Sequence, residues 1–331
     1  MIKNLLRLTK KIIKKLLYPI LYSFIGYKAF TLIEKMMGYK IEKYSFFKAL
    51  GYYPNLKNPQ SFNEKIVWKK IYDRNPLLPI VSDKYRVREY LKEVLEVKEA
   101  EKILIPLLYV TVKPEEIPFD TLPEEYVIKP NHASGCYIIA EDTENQRKYT
   151  IIGNGKTNTL SDCKKTRSEI INICKKWLSK PYGFYKHEWA YQKIKRKIVI
   201  EKLLRDSEGK IPADYKFSVF HGKCHSITVW YDRFIDLARS RYTPEWEYID
   251  VKEKTKQTGY REKPEKLQDM INIAEVLGKP FDYIRVDLYL VDSHIYFGEL
   301  TSYTESGRVS FPRSYDLEFG SKWNLIPKYW K

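Results

Sequence analysis

The sequence predicts an α+β fold on three observations. Strand-like runs come in close pairs, at residues 126–129 and 136–140, 215–220 and 224–230, and 283–291 and 295–303, rich in β-branched and aromatic residues and bounded by turn formers. Long helical patterns at residues 161–180 and 264–278 lie between those pairs. A chain of 331 residues with 44% hydrophobic and 15% aromatic content buries a sizeable core, enough for one elaborate domain or two to three small lobes.

From the N-terminus, Leu5, Leu6, Leu8, Ile12, Ile13, Leu16, Leu17, Ile20, Leu21 and Phe24 fill one sector of a helical wheel. Lys3, Arg7, Lys10, Lys11, Lys14 and Lys15 fill the other, which predicts a basic amphipathic helix. Residues 1–43 hold ten Lys or Arg against two Glu, so nearly half of the net charge of +17 sits at this end. That distribution points to an anionic membrane surface, with no nucleic acid expected. The apolar run at residues 16–26 is too short to span a bilayer, contains Pro19 and lacks an A-x-A cleavage site. A helix packed on the protein's own body and a processed signal are the other readings.

A turn-rich linker at residues 51–59 precedes helical patterns from Asn63 and from Ser82 to about Val97, then a short strand at 103–112. Tyr126-Val127-Ile128-Lys129 reads as a strand stopped by Pro130. It leads through Asn131-His132-Ala133-Ser134-Gly135 into a strand from Cys136. The strand at 198–204 follows the long helix, and a loop surrounds Pro244. A later helix is opened by Pro264 and closed by Gly278. The last hairpin turns at Asp292-Ser293-His294. Cys136, Cys163, Cys174 and Cys224 form no C-x-x-C pair and read as reduced thiols of a cytoplasmic protein. His221 and His225, about 13 Å apart along a strand, suit no metal.

Centring the last turn on Ser293 sets Asp287 opposite Glu299 and Arg285 opposite Thr301, all on one sheet face. Opposed carboxylates repel and require a cation, either Arg285 in a salt-bridge cluster or a divalent ion between the oxygens. Lys129, before a small-residue loop, is either a phosphate-facing group or part of an ordinary surface hairpin. Lys84 sits in the first turn of a helix opened by Ser82 and Asp83, and pairs either with Asp83 or with a phosphate. Asp214, Lys216 and Ser218 alternate with Tyr215, Phe217 and Val219, so the polar set faces either a site or solvent. Arg233 follows a strand and holds either an anion or the neighbouring Asp232.

The order of these features carries a resemblance. S-F-N-E-K-I at 61–66, S-D-K-Y-R-V-R-E-Y at 82–90, V-I-K-P-N-H-A-S-G at 127–135, A-D-Y-K-F at 213–217, R-V-D-L-Y at 285–289 and Y-F-G-E-L-T at 296–301 resemble the TupA-like ATP-grasp family from about residue 47 onward. The resemblance implies two α+β lobes holding ATP between them, preceded by a small N-terminal lobe and the basic helix. The corresponding segments are 1–45, 46–125, 126–204 and 205–331.

By the same resemblance, Lys84 and Lys129 would hold ATP phosphates under the loop of His132, Ser134 and Gly135. The main chain of Glu201, Lys202 and Leu203 would read adenine, and Asp214 would contact ribose. Arg285 would meet the transferred phosphate, with Lys216 and Arg233 as further catalytic candidates. Asp287 and Glu299 would bind Mg2+. Thr301 stands where the family commonly has Asn, and Ala133 where glycine would be easier.

The implied activity is ATP-dependent amide formation through an acyl-phosphate, joining an amino acid or peptide to a carboxylate of a bacterial surface glycan or lipid-linked intermediate. The implied place is the cytoplasm, peripheral at the inner face of the plasma membrane. A glycosyltransferase of surface-polysaccharide synthesis is the alternative, although no D-x-D occurs in the chain. A non-catalytic basic binder of membrane or nucleic acid is a further rival.

Overall fold

The computed structural model describes residues 24–143, 146–153, 156–161, 163–231, 238–252, 259–326 and 329, without the side chains of 24–27, 143, 156 and 164. The predicted basic helix at 1–23 and the candidate Arg233 lie outside the described residues. Among the described residues, no helix is long and apolar enough to cross a membrane.

Two antiparallel sheets organise the chain. The first has strand order β1 (Leu107–Thr111), β6 (Ile198–Lys202), β2 (Tyr126–Pro130), β3 (Tyr137–Thr143), β4 (Gln146–Gly153) and β5 (Lys156–Ser161). Alternation along these strands divides its faces. Tyr126, Ile128, Ile138 and Ile200 form a core with Ile170 and Cys174 of the helix α7 (Lys164–Ser179). Val127, Lys129, Ile139 and Glu201 point the other way, into a cleft.

The second sheet has order β11 (His294–Thr301), β10 (Tyr283–Val291), β7 (Asp214–Phe220), β8 (Lys223–Tyr231) and β9 (Ala238–Tyr242). Phe217, Val219, Val286 and Leu288 join Met270, Ala274 and Leu277 of α9 (Leu267–Gly278) in the largest core. At the end of α9 a Cβ on Gly278 would fall 2.4 Å from Val219 Cγ1, so only glycine lets the helix approach β7 this closely.

One end of the sheet's other face is closed by α3 (Phe62–Tyr72) and α10 (Arg313–Ser321). Phe62, Phe220, Tyr283, Phe319 and Trp323 cluster there with ring centroids 4.9–6.2 Å apart. Ser61 and Glu64 start α3 with a reciprocal capping box, an arrangement that removes orphan N–H donors and contributes roughly 1 kcal/mol. The N-terminal helices α1 (Phe24–Met36) and α2 (Lys40–Leu50) are tied to this body through buried charges. Glu42 pairs with Lys70 at 2.8 Å and Arg308 at 2.7 Å, while Leu32, Ile33, Met36 and Ile41 stay exposed.

β4 and β5 pair in a stretch with no predicted element, and β9 ends at Tyr242, just before the loop expected around Pro244. Other expectations are corrected. The helical pattern from Ser82 divides into a turn, α5 (Val87–Leu95) and α6 (Val97–Ile103), so the strand expected from 103 starts at Leu107. Lys84 therefore stands in the turn that leads into α5.

Candidate active site

The cleft lies between the polar faces of the two sheets, and its lining includes Lys84, Lys129, Ser134, Gly135, Glu201, Lys202, Leu203, Asp214, Asp287 and Glu299. It is an open cleft, with both sheets contributing to its lining. Ile105, Val127, Ile139, Leu204 and Ile211 supply apolar walls. Sequence reasoning missed these walls because they come from separate segments.

The floor is set by strand register. Asp287 lies opposite Glu299 on one side and Lys216 on the other, and Arg285 lies between Thr301 and Ser218. Side chains directly opposite share a face, so acids, cations and hydroxyls form a grid. The expected Asp287–Glu299 register is observed, but not from a turn centred on Ser293. The turn contains two residues, Asp292 and Ser293, with φ of 45° and 66°, and Val291 pairs with His294. The ladder then shifts by one residue between Asp287 and Leu288, leaving Gly298 as the extra residue of a bulge. Without it Glu299 would oppose Val286 and face the core.

Arg285 donates to both Asp287 oxygens at 2.6 and 2.7 Å, to Glu299 Oε1 at 3.3 Å and to the Thr301 hydroxyl at 3.0 Å. Burial alone would depress the Arg285 pKa, but the charges and hydrogen bonds of Asp287 and Glu299 hold it above its ordinary value. Lys216 pairs with Asp214 and also with Asp287 at 2.6 Å. Lys84 reaches Glu299 at 3.3 Å. Thr301 donates to Glu299 Oε1 at 3.2 Å and so orients that carboxylate.

Across the cleft, the Lys129 ammonium pairs with Glu201, whose other oxygen meets Arg88 at 3.5 Å. The loop after β2 is fixed from below. Asn131 donates to Asp83 at 2.8 Å, and the Lys84 amide donates to the Asn131 carbonyl at 3.0 Å. Asp83 thus joins Lys84 to the loop, a role that short-range reading could not assign. Gly135 takes φ 68°, a conformation glycine adopts readily. Ala133 is not in the left-handed region, so the expected difficulty there does not arise. His132 is buried and does not line the cleft. Its ring meets Asn131 and the Lys180 carbonyl at 3.3 and 3.4 Å, and burial pushes its pKa down to about 4.

The donor set fits a magnesium ion that arrives with phosphate. Among the described residues no group of three or more His, Cys, Asp or Glu side chains is arranged to hold a metal ion by itself. Asp287 and Glu299 still offer opposed carboxylates, and Mg2+ is commonly held by one or two carboxylates together with substrate phosphates. The cations paired with these acids are the groups that a polyphosphate would engage.

The family profile described as TupA-like ATPgrasp matches residues 64–324, and the chain belongs to this ATP-grasp family. No curated protein matches. Similar solved structures include D-alanine–D-alanine ligase from Bacillus anthracis complexed with ATP, at 19% identity and TM-score 0.36, covering 68% of this chain and 54% of that one. The D-alanine–D-alanine ligase from Helicobacter pylori has 15% identity and TM-score 0.36, with coverage of 80% and 69%. D-cycloserine synthetase DcsG has 11% identity and TM-score 0.37, with coverage of 75% and 70%. The chain thus spans about half the length of the Bacillus anthracis ligase.

Proposed function

We propose that this protein is an ATP-dependent carboxylate–amine ligase. The observation that carries the reading is the opposed pair Asp287 and Glu299, set among Arg285, Lys216 and Lys84. Lys129 and the Gly135 loop lie across the same cleft. Magnesium held by Asp287, Glu299 and the nucleotide phosphates would neutralise charge on the transferring phosphoryl group.

In this reading Lys84 and Lys129 leave their acids for the phosphate oxygens, the main chain at Glu201 to Leu203 meets the base, and Asp214 meets the ribose. A substrate carboxylate oxygen attacks the γ-phosphorus, the bond to the β-phosphate oxygen breaks, and ADP and an acyl-phosphate result. An amine then attacks the acyl carbon, phosphate leaves and the nitrogen loses a proton, completing the amide. Arg285 steadies the phosphoryl oxygens, and the loop at 131–135 excludes water from the acyl-phosphate. Lys216 orients the acids, and Arg233 is a further candidate for the substrate side.

The carboxylate is assigned to a bacterial surface glycan or its lipid-linked precursor, and the amine to an amino acid or peptide, on the strength of the family resemblance. Contact with the inner face of an anionic membrane is proposed from the basic amphipathic sequence at 1–24. The exposed Leu32, Ile33, Met36 and Ile41 support it. Co-sedimentation with vesicles containing anionic lipid, weakened by salt, is the expected result; no binding would sink that part.

The ligase assignment is tested by ADP release with candidate carboxylates, using hydroxylamine in place of the amine. Magnesium-dependent ADP release with hydroxamate formation is expected. Turnover of a sugar nucleotide without ADP formation would instead favour the glycosyltransferase alternative.

A further inference from the structure

A second cavity opens on the same face of the second sheet, beside the Asp287–Glu299 pair. Its lining includes Lys216, Arg239, Arg241 and Arg285, and among the described residues Glu305 is the only acid that lines it. The polar side is built by register: Arg241 lies opposite Thr228, and Thr228 opposite Lys216. Lys216 in turn lies opposite Asp287. Arg241 is thus three strands from Asp287, roughly 14 Å at the backbone.

Arg239 and Arg241 are 7% and 8% exposed. Burying guanidinium groups is costly unless polar or aromatic groups hold them. Arg241 donates to the Ser226 hydroxyl at 3.0 Å, and its guanidinium lies over the rings of Phe311 and Tyr315 at 4.9 and 5.8 Å. Arg239 meets Glu305 at 3.3 Å. Glu305 comes from a surface turn and keeps 40% of its side chain exposed. Its backbone is left-handed at φ 44°, followed by Ser306 at 57° and Gly307 at 74°, conformations costly for the two side-chain-bearing residues.

We propose that Arg239 and Arg241 form a subsite for a second anionic group of the carboxylate substrate, so that the protein selects a diacid. Glu305 occupies the edge of that subsite when substrate is absent and yields to it on binding. The reacting carboxylate then lies beside Arg285, while the second anion is held on β9. This inference rests on the ligase reading and adds the substrate's charge pattern to it. Buried planar guanidinium groups favour carboxylate or phosphate, which they engage with paired N–H donors.

The experiment measures calorimetric binding of glutarate and adipate to the full chain in the presence of magnesium and a non-hydrolysable ATP analogue. Pentanoate and hexanoate are the matched monoacids, and 4-phosphonobutanoate replaces one carboxylate with a phosphonate. A diacid is expected to bind about tenfold or more tightly than its monoacid, and Arg241→Gln to erase that preference. The tighter of glutarate and 4-phosphonobutanoate identifies the second group. Glu305→Gln, at a half-exposed position, is expected to tighten diacid binding several-fold by removing the competing carboxylate. Nucleotide binding without a diacid preference, or a Glu305→Gln variant that weakens diacid binding, overturns the subsite while leaving the ligase reading standing. Failure of the nucleotide itself to bind overturns both.

Discussion

Arg285 engages four acceptor atoms at once: both oxygens of Asp287, one of Glu299 and the Thr301 hydroxyl. Thr301 passes a hydrogen bond on to Glu299, so its contribution is orientation of the acid. Thr301→Val, which keeps the shape and removes both bonds, is expected to lower kcat/KM for Mg-ATP by about tenfold, equivalent to roughly 1.4 kcal/mol. Thr301→Ser should restore most of it, and steady-state kinetics of the pair checks the prediction. An unaffected valine variant would contradict it.

His132 makes a pH prediction. Burial holds its folded pKa near 4, below the ordinary 6.5, so between those values the unfolded chain takes a proton that the folded chain refuses. Its contribution is therefore intact above pH 6.5 and lost as pH falls toward 4. Urea unfolding at pH 7 and 4.5 should show wild type losing about 2–3 kcal/mol more than His132→Asn. Equal losses would contradict the burial argument. The acids, Lys129, Lys216 and Arg285 were legible in the sequence because polar residues interrupt apolar strands at period two. Arg239 and Arg241 were not, since a strand that buries its polar residues gives no alternation to read.

At the scale of elements, the final hairpin depends on one glycine. A Cβ on Gly298 would lie 3.0 Å from Tyr289 Cε2 and 3.1 Å from the Asp287 carbonyl oxygen. Gly298→Ala should cost about 1–3 kcal/mol by overpacking and also weaken Mg-nucleotide binding by shifting the bulge. Parallel urea unfolding and nucleotide titration would check both effects, and unchanged binding would show that the bulge does not position Glu299. The expected register agreed with the structure at the acids, yet a short turn and a bulge together produce it. Pattern alone therefore fixes which residues share a face only up to such insertions. The β4–β5 hairpin escaped reading because β5, Lys-Thr-Asn-Thr-Leu-Ser, is polar and largely exposed, and β4 fully buries only Tyr149. Lys84 was assigned to a helix start because Ser82 and Asp83 precede the helical pattern, and Asp83 does cap the turn before α5: its side chain accepts from the Tyr85 and Arg86 amides and its carbonyl from the Val87 amide. Its further bond from Asn131, a partner 48 residues away, could not be read locally.

For the whole molecule, the consequence is a cleft whose two walls belong to different cores. Lys129 and Glu201 extend from the first sheet, and Asp214, Asp287 and Glu299 from the second. Lys84 bridges them by its main-chain bond to Asn131 and its side-chain contact with Glu299. A polyphosphate in this cleft would touch both walls and compete for Arg285 and Lys216, the cations that hold Asp287, so a bound magnesium ion would be needed to offset the acid's charge beside the phosphates. Calorimetric titration of wild type and Asp287→Asn with a non-hydrolysable ATP analogue, with and without magnesium, tests this account most directly. Magnesium-dependent binding by wild type is predicted, with the magnesium effect reduced by about tenfold or more in Asp287→Asn. Failure of wild type to bind the nucleotide with magnesium, or identical magnesium dependence in the two proteins, would contradict it.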